Sequence, residues 1–129
     1  MYGLPEDVDL SVLNGCCIGM IEVGPGTFNL CLDTMADPGI GKKSKRIRII
    51  VKNGFSYRYE GESGSGSATI PTSVSPLLAF VGNYVVDIVR VGRGDILLRL
   101  NGGEISILED ESDFESYEIV TIGGEIVVV

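Results

Sequence analysis

Few residues of this chain have the types and spacings that catalysis needs. It contains no histidine, so the commonest general base and the commonest transition-metal ligand are both missing. Ser-His-Asp and Cys-His mechanisms are thereby excluded. Cys16 and Cys17 are adjacent rather than spaced as C-x-x-C, which argues against zinc or thioredoxin-like chemistry. With Cys31 they are expected to pack as small hydrophobes. The tripeptide Arg93-Gly94-Asp95 begins inside Gly92-Arg93-Gly94, a turn sequence, and Gly24-Pro25-Gly26 is a second such turn. Neither leads into a helix starting Lys-Ser or Lys-Thr, so neither is a phosphate-binding loop. No enzyme, metal or cofactor is expected.

Two charged stretches remain. Glu109, Asp110, Glu111, Asp113 and Glu115 form the densest charge in the chain. Calcium would need several oxygen ligands, but the EF-hand spacing and its glycine are absent. With Tyr117, the cluster suits contact with a basic protein. As a plain solvated loop it would deter edge-to-edge sheet association. Opposing it is the basic run Lys42, Lys43, Lys45, Arg46 and Arg48. That run could hold an anionic or nucleotide-like ligand, with Tyr57 and Tyr59 stacking on it. It could equally pair with the acidic stretch, within the fold or across a dimer.

The balance of charge favours a protein partner. A net charge of −8 and a pI near 4.4 argue against nucleic-acid binding, which needs a basic face. The same field keeps the chain soluble and steers it toward basic surfaces. Cys16, Cys17 and Cys31 are an odd number, and residues 1–13 carry Glu6, Asp7 and Asp9 instead of a basic leader. Reduced thiols and a cytoplasmic location follow as expectations. No run approaches the ~18 apolar residues of a membrane span.

The elements that must position these groups are strands. At 129 residues with 44% hydrophobic content, the chain can bury one core, and 18 glycines fit an all-β chain with many turns. Residues 85–108 predict three strands broken at Gly92-Arg93-Gly94 and Asn101-Gly102-Gly103. Earlier strands are expected at 16–23, 27–33, 46–51 and 55–60. Asn53-Gly54 is the strongest hairpin signal, and Gly61–Ser67 has the composition of a flexible linker. Asp9 is expected to cap a turn over 10–13. A short helix is expected with Ser75 as N-cap, Pro76 at N1 and Gly82 past its end. A final hairpin turns at Gly123-Gly124, and the apolar strand Glu125–Val129 invites covering by a homodimer.

The halves also resemble each other. Gly15 aligns with Gly82, Ile18 with Val85 and Ile21 with Ile88. After one inserted residue, Gly24 and Gly26 align with Gly92 and Gly94, and Leu30 and Leu32 with Leu98 and Leu100. This order predicts a duplicated unit whose two sheets pack together, with a β-bulge in the second copy.

The opening MYGLPEDVDLSVLNG, the paired hairpins, and EDESDFESYEI followed by GGEIVVV resemble an uncharacterised bacterial family of small acidic two-repeat β proteins. Its motif is matched by Phe114-Glu115-Ser116-Tyr117-Glu118. The resemblance spans nearly the whole chain and implies an immunity-like protein that binds a basic toxin. It carries no catalytic residues.

The sequence thus predicts an all-β, mainly antiparallel single domain. Two repeated units, about 9–60 and 75–129, would pack as a sandwich or small barrel, joined at 61–67. The leading function is non-catalytic occlusion of a partner protein through Glu109, Asp110, Glu111, Asp113, Glu115 and Tyr117. The alternatives are anion binding at Lys42, Lys43, Arg46, Arg48, Tyr57 and Tyr59, and assembly through edge strands.

Overall fold

The computed structural model describes residues 10–34, 46–109, 117–120 and 126–128. Among the described residues, ten strands form two five-stranded antiparallel sheets. They are β1 (Cys17–Gly24), β2 (Thr27–Asp33), β3 (Arg46–Val51), β4 (Gly54–Tyr59) and β5 (Glu62–Ser67). After the 3-10 helix Pro71–Phe80 come β6 (Val85–Val91), β7 (Asp95–Leu100), β8 (Gly103–Ile107), β9 (Tyr117–Val120) and β10 (Ile126–Val128). The first sheet has the order β1-β2-β3-β9-β10 and the second β5-β4-β8-β7-β6. This is an all-β sandwich.

Alternation builds the core. Phe28, Leu30 and Leu32 of β2, Ile47, Ile49 and Val51 of β3, and Ile96, Leu98 and Leu100 of β7 are buried. Their neighbours Asn29, Asp33, Arg46 and Arg48 face outward, as a period of two requires. Each fully buried Leu or Ile contributes about 1.5–3 kcal/mol relative to exposure. The sheets meet where the Phe28 and Phe55 rings stand edge to face, centroids 5.2 Å apart. Leu13 of the 3-10 turn Leu10–Leu13, with Leu77 and Phe80 of the longer helix, is buried in the same core.

The β1–β2 and β6–β7 hairpins share a local irregularity. Both β1–β2 and β6–β7 shift register once, between Ile18 and Met20 and between Val85 and Asp87. A bulge expected in the second copy alone is therefore present in both. The inserted residue lies in the turn instead: Gly24 faces Thr27 across two residues, Val91 faces Asp95 across three. The backbone contacts between residues 15–18 and 82–85 are reciprocal. Gly15 N donates to Val85 O (2.7 Å) and Gly82 N to Ile18 O (2.8 Å). Ile18 N donates to Asn83 O and Val85 N to Cys16 O, each at 2.8 Å.

Three local expectations are corrected. Asn53-Gly54 is not a hairpin turn, because β3 pairs with β2 and β9 while β4 pairs with β5 and β8. Gly54 is not among the glycines with positive φ, which a type I′ turn would need; the dipeptide instead carries the chain from one sheet to the other. Gly61–Ser67 is not a linker: Glu62–Ser67 is strand β5, turned back by Glu60 and Gly61 at φ +49° and +82°. Its glycines serve packing, since a Cβ on Gly64 would strike the Tyr57 ring and one on Gly66 the Phe55 ring. The 3-10 helix begins at Pro71 rather than at Ser75. Ser75 Oγ donates to Thr72 O (3.2 Å) and caps nothing.

The halves interlock. Strands β4 and β5 come from the first half but complete the second sheet, while β9 and β10 do the converse. Neither half closes a sheet alone.

Candidate functional site

The acidic stretch is described only at its two ends; Asp110, Glu111, Asp113 and Glu115 lie outside the described residues. The Glu109 side chain is 7% exposed and sits 3.7 Å from the Arg93 guanidinium. Its backbone N–H donates to Asp95 Oδ1 (2.7 Å). Tyr117 is fully buried on the inner face of β9. Its hydroxyl donates to Gly94 O at 2.6 Å, and burial, with the nearby Glu109 and Asp95 carboxylates, pushes the phenol well above its usual range. Tyr117 is thus an internal tie between β9 and the β6–β7 turn. It is not a contact residue.

The basic set is also divided. Lys42 and Lys43 lie outside the described residues. Arg46 and Arg48 stand on the outer face of the first sheet, where Arg46 Nε is 3.1 Å from Asp33 Oδ1 and Arg48 Nε is 3.9 Å from Glu22 Oε1. Tyr57 and Tyr59 belong to the second sheet and pack against the core. The Tyr57 ring lies 6.5 Å from that of Phe55, and Tyr59 meets Phe80 edge to face at 5.2 Å. Tyr57 and Tyr59 therefore form no stacking platform beside the two arginines.

On the first sheet Glu22 gathers the polar groups. Its Oε1 accepts from Cys31 Sγ (3.2 Å) and Asn29 Nδ2 (3.3 Å). These two hydrogen bonds hold the Glu22 carboxyl below the ordinary range. Burial, then the hydrogen bond to Glu22, pushes the Cys31 thiol up to about 11. Burial also raises the Cys16 thiol. Both remain protonated at neutral pH and make poor nucleophiles.

The second sheet is different. Its outer face holds a hollow of about 370 Å³ lined by Ser56, Tyr57, Arg58, Ser63, Gly64, Ser65, Glu104 and Ser106. Cross-strand pairing generates it: Ser65, Ser56 and Ser106 form one row, and Ser63, Arg58 and Glu104 the next. Small hydroxyl side chains leave the depression, and their hydroxyls can donate or accept. Arg58 and Glu104 of its lining, and Glu60 and Glu62 at the β4–β5 turn, make no ion pair or side-chain hydrogen bond among the described residues. Every other described carboxylate is engaged: Glu22, Asp33, Asp87, Glu109 and Glu118 in ion pairs, Asp95 by a backbone N–H. Sequence reasoning missed this region, although the serines at 63, 65 and 67 carried the period of a strand.

Among the described residues no helix is long and apolar enough to cross a membrane, and no three candidate side chains gather to hold a metal. No family model, curated protein or solved structure matches the chain.

Proposed function

We propose that this chain is a non-catalytic binding protein that docks on and occludes a basic partner protein, acting in a reducing compartment. The contact surface is centred on Glu60, Glu62 and Glu104 of the second sheet. One observation carries this: among the described residues the carboxylates left without an ion pair, Glu60, Glu62 and Glu104, all belong to the second sheet and its β4–β5 turn, in a chain of net charge −8. A field of that sign speeds encounter with a cationic surface, and unpaired charges at the rim select it. The resemblance to immunity-like bacterial proteins points to the same class of partner, a basic toxin.

The hollow supports a second reading. Arg58 stands unpaired among serine hydroxyls in a space of about 370 Å³, which is within the size of small-ligand sites. An anionic ligand would use Arg58 rather than the divided basic set.

Capture from the native host, with this protein as bait at low and moderate salt, separates the two. A stoichiometric basic partner is expected, weaker at the higher salt and lost in the variant carrying Glu60→Lys, Glu62→Lys and Glu104→Lys. Recovery of no partner at either salt overturns the occlusion reading and brings the hollow's ligand forward.

A further inference from the structure

Strand β5 ends the second sheet, and its outer edge has no strand partner among the described residues. In an antiparallel pair, hydrogen-bonded and non-bonded residue pairs alternate. Ala68 N donates to Asn53 O (2.9 Å), so the pairs Phe55–Gly66 and Tyr57–Gly64 are bonded and Ser63, Ser65 and Ser67 turn their backbone groups away from β4. Ser67 agrees, since its N–H donates to Ser73 Oγ (3.0 Å). The 3-10 helix thus closes one end of the edge. Ser63 and Ser65 are left, both exposed.

Such an edge is normally blunted by lysine, proline, a bulge or a covering element. Here β5 is ESGSGS, with no lysine or proline, and its pairing with β4 is regular. On its inner side the half-buried Tyr57 ring lies against Gly64, so no side chain separates an arriving strand from that ring. At the open end stand the unpaired carboxylates of Glu60 and Glu62.

We infer that β5 is a strand-addition edge that takes an extended, basic segment of the partner protein. The inference rests on the occlusion reading and specifies its mode. Main-chain bonds to Ser63 and Ser65 supply the affinity, as in other cases of strand addition, and lysine or arginine side chains reach Glu60 and Glu62. A second copy of this chain is disfavoured as occupant by its own charge of −8.

The test uses the full chain and a ten-residue peptide of alternating valine and lysine. A control peptide has the same sequence with alternate backbone nitrogens methylated. Binding is followed by fluorescence anisotropy and by exchange of the Ser63 and Ser65 amides. Ser65→Pro removes an outward N–H that β4 does not use, and Ser63→Pro provides an independent second variant. The wild type should bind the peptide and protect both amides. Backbone methylation and each proline should weaken binding about tenfold or more, on the scale of losing one or two hydrogen bonds. Equal binding of the methylated peptide, or no binding of either, overturns strand addition. If neither proline weakens capture of the host partner but the triple lysine variant abolishes it, strand addition falls and the occlusion reading stands. Loss of capture in the proline variants alone would keep the edge and reject the carboxylates. A self-association that Ser65→Pro abolishes would make a second copy the occupant and overturn the proposal.

Discussion

The outer faces of the two sheets occupy one backbone frame and are finished differently. Cross-strand register puts Arg48 and Glu104 in corresponding places, and likewise Ile50 and Ser106, Glu118 and Ser56, and Val120 and Arg58. On the first sheet, Ile50 and Val120 stand where the second has a serine and an unpaired arginine. Arg46, Arg48 and Lys52 there are matched by Asp33, Glu22 and Glu118. On the second sheet, Ser56 and Ser106 leave the hollow, and Glu104 in its lining makes no ion pair among the described residues. The scaffold is common to both. Side-chain volume and charge pairing at a few equivalent positions decide which face is closed.

That contrast can be broken at three places. The largest effect is expected from Tyr117→Phe, which strands the buried Gly94 carbonyl and should cost about 1–3 kcal/mol in urea unfolding. Partner capture at saturating stability should not change. Lost capture at unchanged stability would return Tyr117 to the contact surface.

A smaller effect is expected from Ser106→Ile, which gives the second sheet the residue found at the same place in the first. Ser106 lies on the outer face, so stability should stay within about 0.5 kcal/mol, while affinity for the partner falls about tenfold, close to 1.4 kcal/mol. Undiminished affinity would show that the hollow plays no part in binding.

The smallest concerns Cys31. Its thiol is raised to about 11 in the fold, against roughly 8.5 when unfolded. The native state therefore holds the proton more tightly, and the resulting stability is complete below about pH 8.5 and lost as pH rises toward 11. Cys31→Ser keeps a donor to Glu22 that does not titrate in this window. Its urea midpoint should decline less steeply between those pH values than that of the wild type. An identical decline would remove Cys31 from the closed face's network.

Much of the strand content was legible from local alternation. Phe28, Leu30 and Leu32, then Ile47, Ile49 and Val51, and the meander from Val85 to Ile107 all carry the period of two, and turn chemistry separates them. The Asn53-Gly54 signal misled because hairpin rules assume that adjacent strands pair. Tyr117 and its neighbours on β9 take the edge of β3 instead, and nothing near residue 53 announces so distant a competitor. The same switch of sheet separates Tyr57 and Tyr59 from Arg46 and Arg48, which a local reading set side by side. β5 was missed because its glycines looked like freedom, whereas Gly64 and Gly66 make room for aromatic rings. Tyr117 sits next to an acidic run, and proximity in sequence suggested exposure that its inward place on β9 denies. The candidate site was the least legible part. Its residues are common serines whose meaning lies in the register that aligns them across three strands.

The crossing of the halves also dictates an order of events on the ribosome. Val51 finds its partner in Tyr117 and Arg48 in Val120, so β3 emerges long before the strand that will cover it. Contacts so remote in sequence slow closure, and until the last strands appear the nascent first half presents β3 as an uncovered template. The open edge at β5 is a feature of the finished molecule. The one at β3 is a hazard only of its making.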